Sequence, residues 1–308
     1  PKSLINLRGS FAKEFFLPFA TCLGIILFFQ NPFLVNFFNP GSEDWYVNFS
    51  VMIFHPNEAY WNESILLPLI GKLTGASKSL VSYKLLCAFI SILLLPILAF
   101  LSQRHFSKIS NAYLFLLVFS VGFRYLWSYD LGHPDPLTIV LLCCIPFLRS
   151  RLAIFACAFF ATLSHFSLSL VAILEIVILY CLSYLSNKKQ SWNTVLASIL
   201  GLGIGRLFLA AWYWVFHYTS PFGRIEFILN SGFSFFYDRY QAYPVAFWLT
   251  PGILYLIVNA IMLILFLANK KWRLAFGLIL TNLISYNALF ITVDGLRIFS
   301  AVCCSSFI

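Results

Sequence analysis

The sequence predicts an all-α fold, a polytopic transmembrane helical bundle of about nine to ten spans with interfacial or re-entrant helices in its first outer loop. Three observations predict it. Of 308 residues, 61% are hydrophobic and only 10% charged, against roughly 45–50% and about 25% in an ordinary soluble domain. The apolar residues gather into runs of about 20, which at 1.5 Å per residue match a hydrocarbon core of roughly 30 Å. Basic residues recur at every second turn between those runs. Disorder, collagen-like repeats, a disulfide-stapled miniprotein and a soluble enzyme are excluded, because a soluble surface could not hide so much apolar area.

Spans are predicted near 14–35, 80–102, 110–128, 136–148, 152–166, 168–186, 194–216, 245–268 and 274–292, and a tenth begins near 296. The stretch 136–186 is the least regular, since its first piece is short and the next two meet at His165–Ser167 with almost no loop. The chain reads as a single transmembrane domain over 1–308, with no soluble domain, linker or repeat. It opens at Pro1 and reads as truncated at its C-terminus, because Ile308 falls in an unfinished apolar run. No small-residue cleavage site follows the first apolar segment, so no cleavable signal is evident.

Charge orients the bundle. Lys2, Arg8 and Lys13 precede the first span, Arg104 and Lys108 follow the second, and Arg149 and Arg151 the fourth. Lys188 and Lys189 follow the sixth, and Lys270, Lys271 and Arg273 the eighth. All twelve fall on one side when every segment crosses, and that side is cytoplasmic by the positive-inside rule. The expected location is a bacterial inner membrane with a cytoplasmic N-terminus and a periplasmic or extracellular working face; the alternative is the endoplasmic reticulum. The net charge of +9 would point to nucleic acid in a soluble protein, but here it reports orientation and implies no nucleic-acid partner.

Acids sort the other way. Glu43, Asp44, Glu58, Glu63, Asp130, Asp135, Glu226, Asp238 and Asp294 lie in or beside outer loops, as do His55, His133, His165 and His217. The two long connections, 36–79 and 217–244, are also outer. In the first, Ile65–Ile70 is too short to cross and is interrupted by Pro68 and Gly71, which suits an interfacial helix. Trp45, Tyr46, Tyr60 and Trp61 are expected at headgroup level. The eight cysteines (22, 87, 143, 144, 157, 181, 303 and 304) lie in apolar stretches without a CxxC pair, so they read as small hydrophobes.

Four constellations can carry chemistry. Glu43–Asp44 can supply a carboxylate base or oxygen ligands to a divalent metal such as magnesium or manganese, and can equally cap an interfacial helix. Asp130-Leu-Gly-His133-Pro-Asp135-Pro is a stiff outer loop projecting two acids and a histidine, although Asp135 can simply cap the fourth span. His165, between Ser164 and Ser167, is a structural residue or a substrate contact. Asp294-Gly-Leu-Arg297 places an arginine where a snorkelling anchor or a phosphate-binding fork would lie. Arg124, Arg224, Arg239, Lys78 and Lys84 share that outer depth. Arg206, after Gly201, Gly203 and Gly205, is mid-span and needs a partner, for which Glu175 is the expected choice. The sequons Asn48-Phe-Ser50 and Asn62-Glu-Ser64 lie outside and matter only in a eukaryotic host. No Walker loop, GxSxG, HExxH or dinucleotide fingerprint is present.

A first span leading to a long outer loop with an acid pair near its start, interfacial helices, a Leu67-Pro68 segment through Gly75 and many short-turned spans resembles the GT-C superfamily of integral membrane glycosyltransferases. Residues 14–170 carry the resemblance in organisation, and Glu43–Asp44 matches the modified DxD-type acid pair of the family in form. The resemblance implies a polyprenyl-phosphate-linked sugar donor, a glycan, lipid or protein acceptor and an active site at the outer interface. Asp44 would then deprotonate the acceptor, with inversion at the anomeric carbon. Arg297, Arg239 and Lys84 would steady the leaving phosphate, and His133 and Asp135 would orient the acceptor or complete a metal site. The chain departs from larger members in being short and lacking a C-terminal soluble domain. Two rivals stand beside this reading. One is a polysaccharide polymerase or ligase of the Wzy type using outer Arg and His residues; the other is a non-enzymatic transporter or flippase.

Overall fold

The computed structural model describes residues 44–55, 64–90, 132–182, 188–218 and 252–291, and all regular structure among them is helical. In chain order the helices are α1 (Asp44–Val51), α2 (Leu66–Thr74) and α3 (Leu80–Ile90), then α4 (Asp135–Cys144) and α5 (Arg151–Ser164). They continue with α6 (Phe166–Leu182), α7 (Lys188–Val215), α8 (Gly252–Ala268) and α9 (Trp272–Ile291). Short 3-10 turns at Ala76–Lys78 and Ile145–Phe147 follow α2 and α4. The spans expected at 14–35, at 110–128 and from 296 lie outside the described residues.

Among the described residues one helix, over Trp192–Val215, is long and apolar enough by itself to cross a membrane. The other apolar helices are shorter. At 1.5 Å per residue, α5 with its 14 residues covers roughly 21 Å and α7 with 28 covers roughly 42 Å.

Side-chain contacts give the helix directions. Ser164 Oγ donates to Pro134 O at 3.1 Å, so the end of α5 lies beside the start of α4. Tyr180 Oη donates to Pro146 O at 3.2 Å, so the end of α6 lies beside the end of α4. Adding Cβ atoms at Gly201 and Gly205 would bring them against Phe155 and Ala158, then against Thr162. Thus α5 and α7 run parallel. Ser285 bonds Glu175 while Gly277 faces Leu182, so α9 runs opposite to α6. The directions of α4, α5, α6 and α7 therefore alternate. Arg149 and Arg151 lie at the exposed turn between α4 and α5, and Lys270 and Lys271 at the exposed turn between α8 and α9.

The unequal lengths of α5 and α7 build a step. With Gly205 level with Thr162, the last seven or so residues of α7 rise about 10 Å beyond the end of α5. Helix α1 fills that step. Its Phe49, with Ile53 just beyond, packs with Ile65, Leu163 and Leu209, and Phe54 lies 5.9 Å from the Trp212 ring and 5.4 Å from that of Phe216. The other side of α1 carries Tyr46 and Val47 into a cluster with Leu67, Tyr83, Cys87 and Leu137.

Two sequence expectations need correction. Pro68 and Gly71 do not interrupt the 65–70 segment, because α2 runs through both. Pro68 falls in the first turn, where its missing N–H has no intrahelical role. Gly71 is needed for closeness, since a Cβ there would lie 2.8 Å from Ser50 Oγ and from the Tyr83 ring. Tyr46 does not present its ring outward; it is packed inside the protein, 4% exposed. Cys87, Cys143 and Cys144 are buried free thiols as expected, whereas Cys181 is exposed.

Candidate functional site

The described candidates converge beneath α1, where α4 begins and α5 passes into α6. The loop entering α4 needs Gly132, whose φ of 114° lies where a side chain is disfavoured. Asp135 is the first residue of α4, and its carboxylate suits the positive helix end. Pro134 O then accepts three bonds: from Thr138 N at 3.0 Å, Thr138 Oγ1 at 2.9 Å and Ser164 Oγ at 3.1 Å. One carbonyl thus ties the α4 entrance to the end of α5.

His165 is the hinge between α5 and α6. Its backbone is extended, and its N–H donates to Ala161 O, closing α5. Its side chain opens α6, because Leu168 N donates to His165 Nδ1 at 3.3 Å. With Nδ1 accepting, the neutral ring carries its proton on Nε2, and that atom lies 3.6 Å from Asp135 Oδ1. Both side chains are buried. A burial of this kind is tolerable only where polar groups meet partners.

His133 is buried as well, and its ring meets the edge of Tyr46 with centroids 4.9 Å apart. That contact seats α1, whose first residue is Asp44, on the loop before α4. Lys84 is fully buried on the face of α3 that also carries Tyr83, Cys87 and Ala88, and this face packs on Tyr46 and Leu137. Helix α1, α3, the α4 entrance and the α5–α6 hinge therefore share one polar joint.

The structure brings His133, Asp135 and His165 together, with α1 and Lys84 beside them. Glu43, Asp130, Arg239 and Arg297 lie outside the described residues, and of Asp44 the backbone alone is described. Among the described residues no group of three or more His, Cys, Asp or Glu is placed to hold a metal ion. Sequence reasoning missed Tyr46 as a member of the joint; its place two residues after Asp44 was the available signal. The Asn48 sequon is also committed structurally, since it lies in α1 and Ser50 Oγ donates to Pro68 O at 2.6 Å.

The mid-span pair expected between Arg206 and Glu175 does not form. Glu175 accepts a 2.5 Å bond from Ser285 Oγ, while the Arg206 guanidinium lies over the Phe166 ring, 4.5 Å from its centroid. Phe166 and Glu175 are nine residues apart on α6, a rise of about 13 Å. Helical register, not depth class, separates them.

No family model, curated protein or solved structure matches the chain. The site's own geometry therefore carries the functional argument.

Proposed function

We propose that this chain is a multi-pass membrane glycosyltransferase of GT-C type, moving a sugar from a polyprenyl-phosphate donor to a glycan, lipid or protein acceptor on the extracytoplasmic face. The observation that carries the proposal is the Tyr46–His133 contact, which gathers the Asp44 helix and the 133–135 loop, remote in sequence, into one joint.

The multi-pass reading draws support from the alternating helix directions and from the apolar side chains turned outward. Leu152, Leu174, Leu207, Trp214, Ile264 and Trp272 are all exposed, as lipid-facing residues are and as residues of a soluble core are not. With Arg149 and Arg151 at the inner headgroups, α5 at roughly 21 Å falls short of the outer surface of a roughly 30 Å core by about 9 Å. His165 and Asp135 would then sit recessed, roofed by α1 and α2. A recess at that depth suits a reaction between a headgroup-level phosphate and a hydroxyl acceptor, away from bulk water.

In this reading Asp44 is the base that takes the acceptor proton. The acceptor oxygen attacks the anomeric carbon as its bond to the donor phosphate breaks, and the leaving phosphate keeps that electron pair. Arg239, Arg297 and Lys84 offset the developing charge, and Asp130 contacts substrate. Asp135 and His165 hold the joint, and His133 sets α1 through Tyr46. A divalent metal at Glu43–Asp44 would supply charge neutralisation at the same phosphate.

Sugar transfer by membranes containing the Asp44→Asn variant is the test. Losing a positioned base lowers the rate by about 10²-fold or more, with the chain still present in the membrane. Wild-type transfer by this variant would remove Asp44 from the chemistry. A second reading, transport, is favoured by the polar contacts inside the bundle, Glu175–Ser285 and Asn282 Nδ2 to Asn259 Oδ1 at 3.1 Å. Its test is substrate movement in proteoliposomes without any bond cleaved.

A further inference from the structure

Three glycines precede Arg206 on α7, and packing explains two of them. A Cβ at Gly201 would lie 2.6 Å from Phe155 O, and one at Gly205 would lie 2.8 Å from Thr162 Cβ. Both let α5 approach closely. Gly203 differs, since a Cβ there would meet nothing within 4 Å. A glycine inside a helix is disfavoured relative to alanine, and close helix contact does not account for this one. It leaves an open notch on the exposed flank of α7, one turn before Arg206 and beside exposed Ile204 and Leu207.

Arg206 borders that notch. Its guanidinium carbon lies over the Phe166 ring, 4.5 Å from the centroid, and Nη1 is buried with no hydrogen bond among the described residues. The residue as a whole stays partly exposed. No carboxylate among the described residues pairs with it, Glu175 being about 13 Å further along α6 than Phe166. Arg206 also lies six residues, about 9 Å, below Trp212 in the outer aromatic cluster. A charge at such depth is unfavourable unless it meets an opposite charge.

We infer that Arg206, Phe166 and Gly203 form a lateral binding site for a lipid-borne phosphate, entered from the bilayer between α6 and α7. The inference rests on the membrane reading above but is independent of sugar transfer. The guanidinium presents parallel N–H donors that match two phosphate oxygens. The notch at Gly203 admits the phosphate or its ester oxygen, and Leu200 and Leu207, both exposed on that flank, offer apolar surface for the attached chain. A bilayer glycerophospholipid and an isoprenoid phosphate share this chemistry.

The test is probe binding to the purified full chain in detergent, by native mass spectrometry, with farnesyl phosphate, phosphatidylglycerol and, as the phosphate-free control, farnesol. Wild type should take up one or both phosphate probes and ignore farnesol. Arg206→Gln should weaken binding about tenfold or more, since a charge-assisted contact is worth about that factor. Arg206→Lys, which keeps the charge without the fork, should fall between. Gly203→Leu fills the notch, where a Cβ meets nothing within 4 Å, and should abolish binding with the melting temperature unchanged or raised. Preference for farnesyl phosphate assigns the site to a substrate, and equal uptake assigns it to bilayer lipid. Wild-type binding by both Arg206→Gln and Gly203→Leu overturns the site and leaves a structural cation–π stack. No sugar moves in this measurement, so its failure is distinct from a failure of Asp44→Asn. Release of the chain from membranes by alkaline carbonate would remove the membrane reading instead.

Discussion

The seam between α5 and α7 and the joint beneath α1 are both buried, yet they are built from opposite chemistry. At the seam, closeness comes from what is missing: Gly201 and Gly205 present no side chain, so α7 backbone meets the Phe155 backbone at one and the Thr162 side chain at the other. At the joint, closeness comes from polar groups drawn together, with Pro134 O accepting three bonds and His165 Nε2 3.6 Å from Asp135 Oδ1. An apolar seam asks only for complementary shape. A polar joint carries a desolvation cost that is offset only in one arrangement, so it fixes the relative placement of four elements more tightly than apolar packing would. A residue held in that way, such as Asp135, is better suited to positioning the site than to leaving its partner and reacting.

The largest effect that separates the two regions is expected at the seam. Gly201→Leu would force a side chain where even a Cβ would sit 2.6 Å from the Phe155 carbonyl oxygen. Backbone on both sides must move, so the loss should be about 3 kcal/mol or more, read as failure to purify as a single species in detergent. Gly203→Leu, two residues away, is the internal control. A variant at Gly201 as stable as the one at Gly203 would mean that α5 and α7 are not packed as described.

At the joint, Asp135→Ala removes the carboxylate 3.6 Å from His165 Nε2 and the acid from the first turn of α4. Losing that buried polar contact is expected to cost about 1–3 kcal/mol. The cost should be local, showing as faster hydrogen exchange over 132–138 and 164–169 with the α5–α7 seam unchanged. His165→Ala should give the same map, and the double variant should cost less than the sum of the two. Additive losses would show that the two side chains do not act as a unit.

Much of this architecture is legible in the sequence because it follows from one-dimensional signals. Helix edges track the ends of the apolar runs, and the turns at 148–150 and 269–271 fall at the basic residues. The site was legible only as separate loops. That His165 faces Asp135 across 30 residues depends on a hydrogen bond between Leu168 N and Nδ1 that no pattern announces. The Arg206–Glu175 pairing failed for a related reason. Composition places both mid-span, but the stagger of antiparallel α6 and α7 sets them at different heights. Tyr46 misled because an aromatic residue near an interface looks alike whether it points to headgroups or into the protein. The notch at Gly203 is hidden among glycines that look identical in sequence and differ only in what stands opposite each one.

The smallest effect tests how α1 is fastened to the top of α7. Trp212 Nε1 donates to Tyr218 Oη at 2.9 Å, and Tyr218 Oη donates to Ile53 O at 3.1 Å. This fastening is polar like the joint but lies further out, in the connection after α7. Burial raises the Tyr218 hydroxyl from its ordinary 10.0 to about 12, opposed by the Trp212 bond. The folded state thus holds this proton more tightly than the unfolded state does, so the contribution is whole below pH 10 and is lost as pH rises through 12. Tyr218→Phe keeps the ring contacts with Tyr213 and Phe49 and removes the hydroxyl, at a cost of about 1 kcal/mol at neutral pH. The gap in melting temperature between wild type and this variant should therefore narrow steadily between pH 10 and 12. No gap, at neutral pH or across that window, would mean that ring packing alone, as at the seam, fastens α1 to α7.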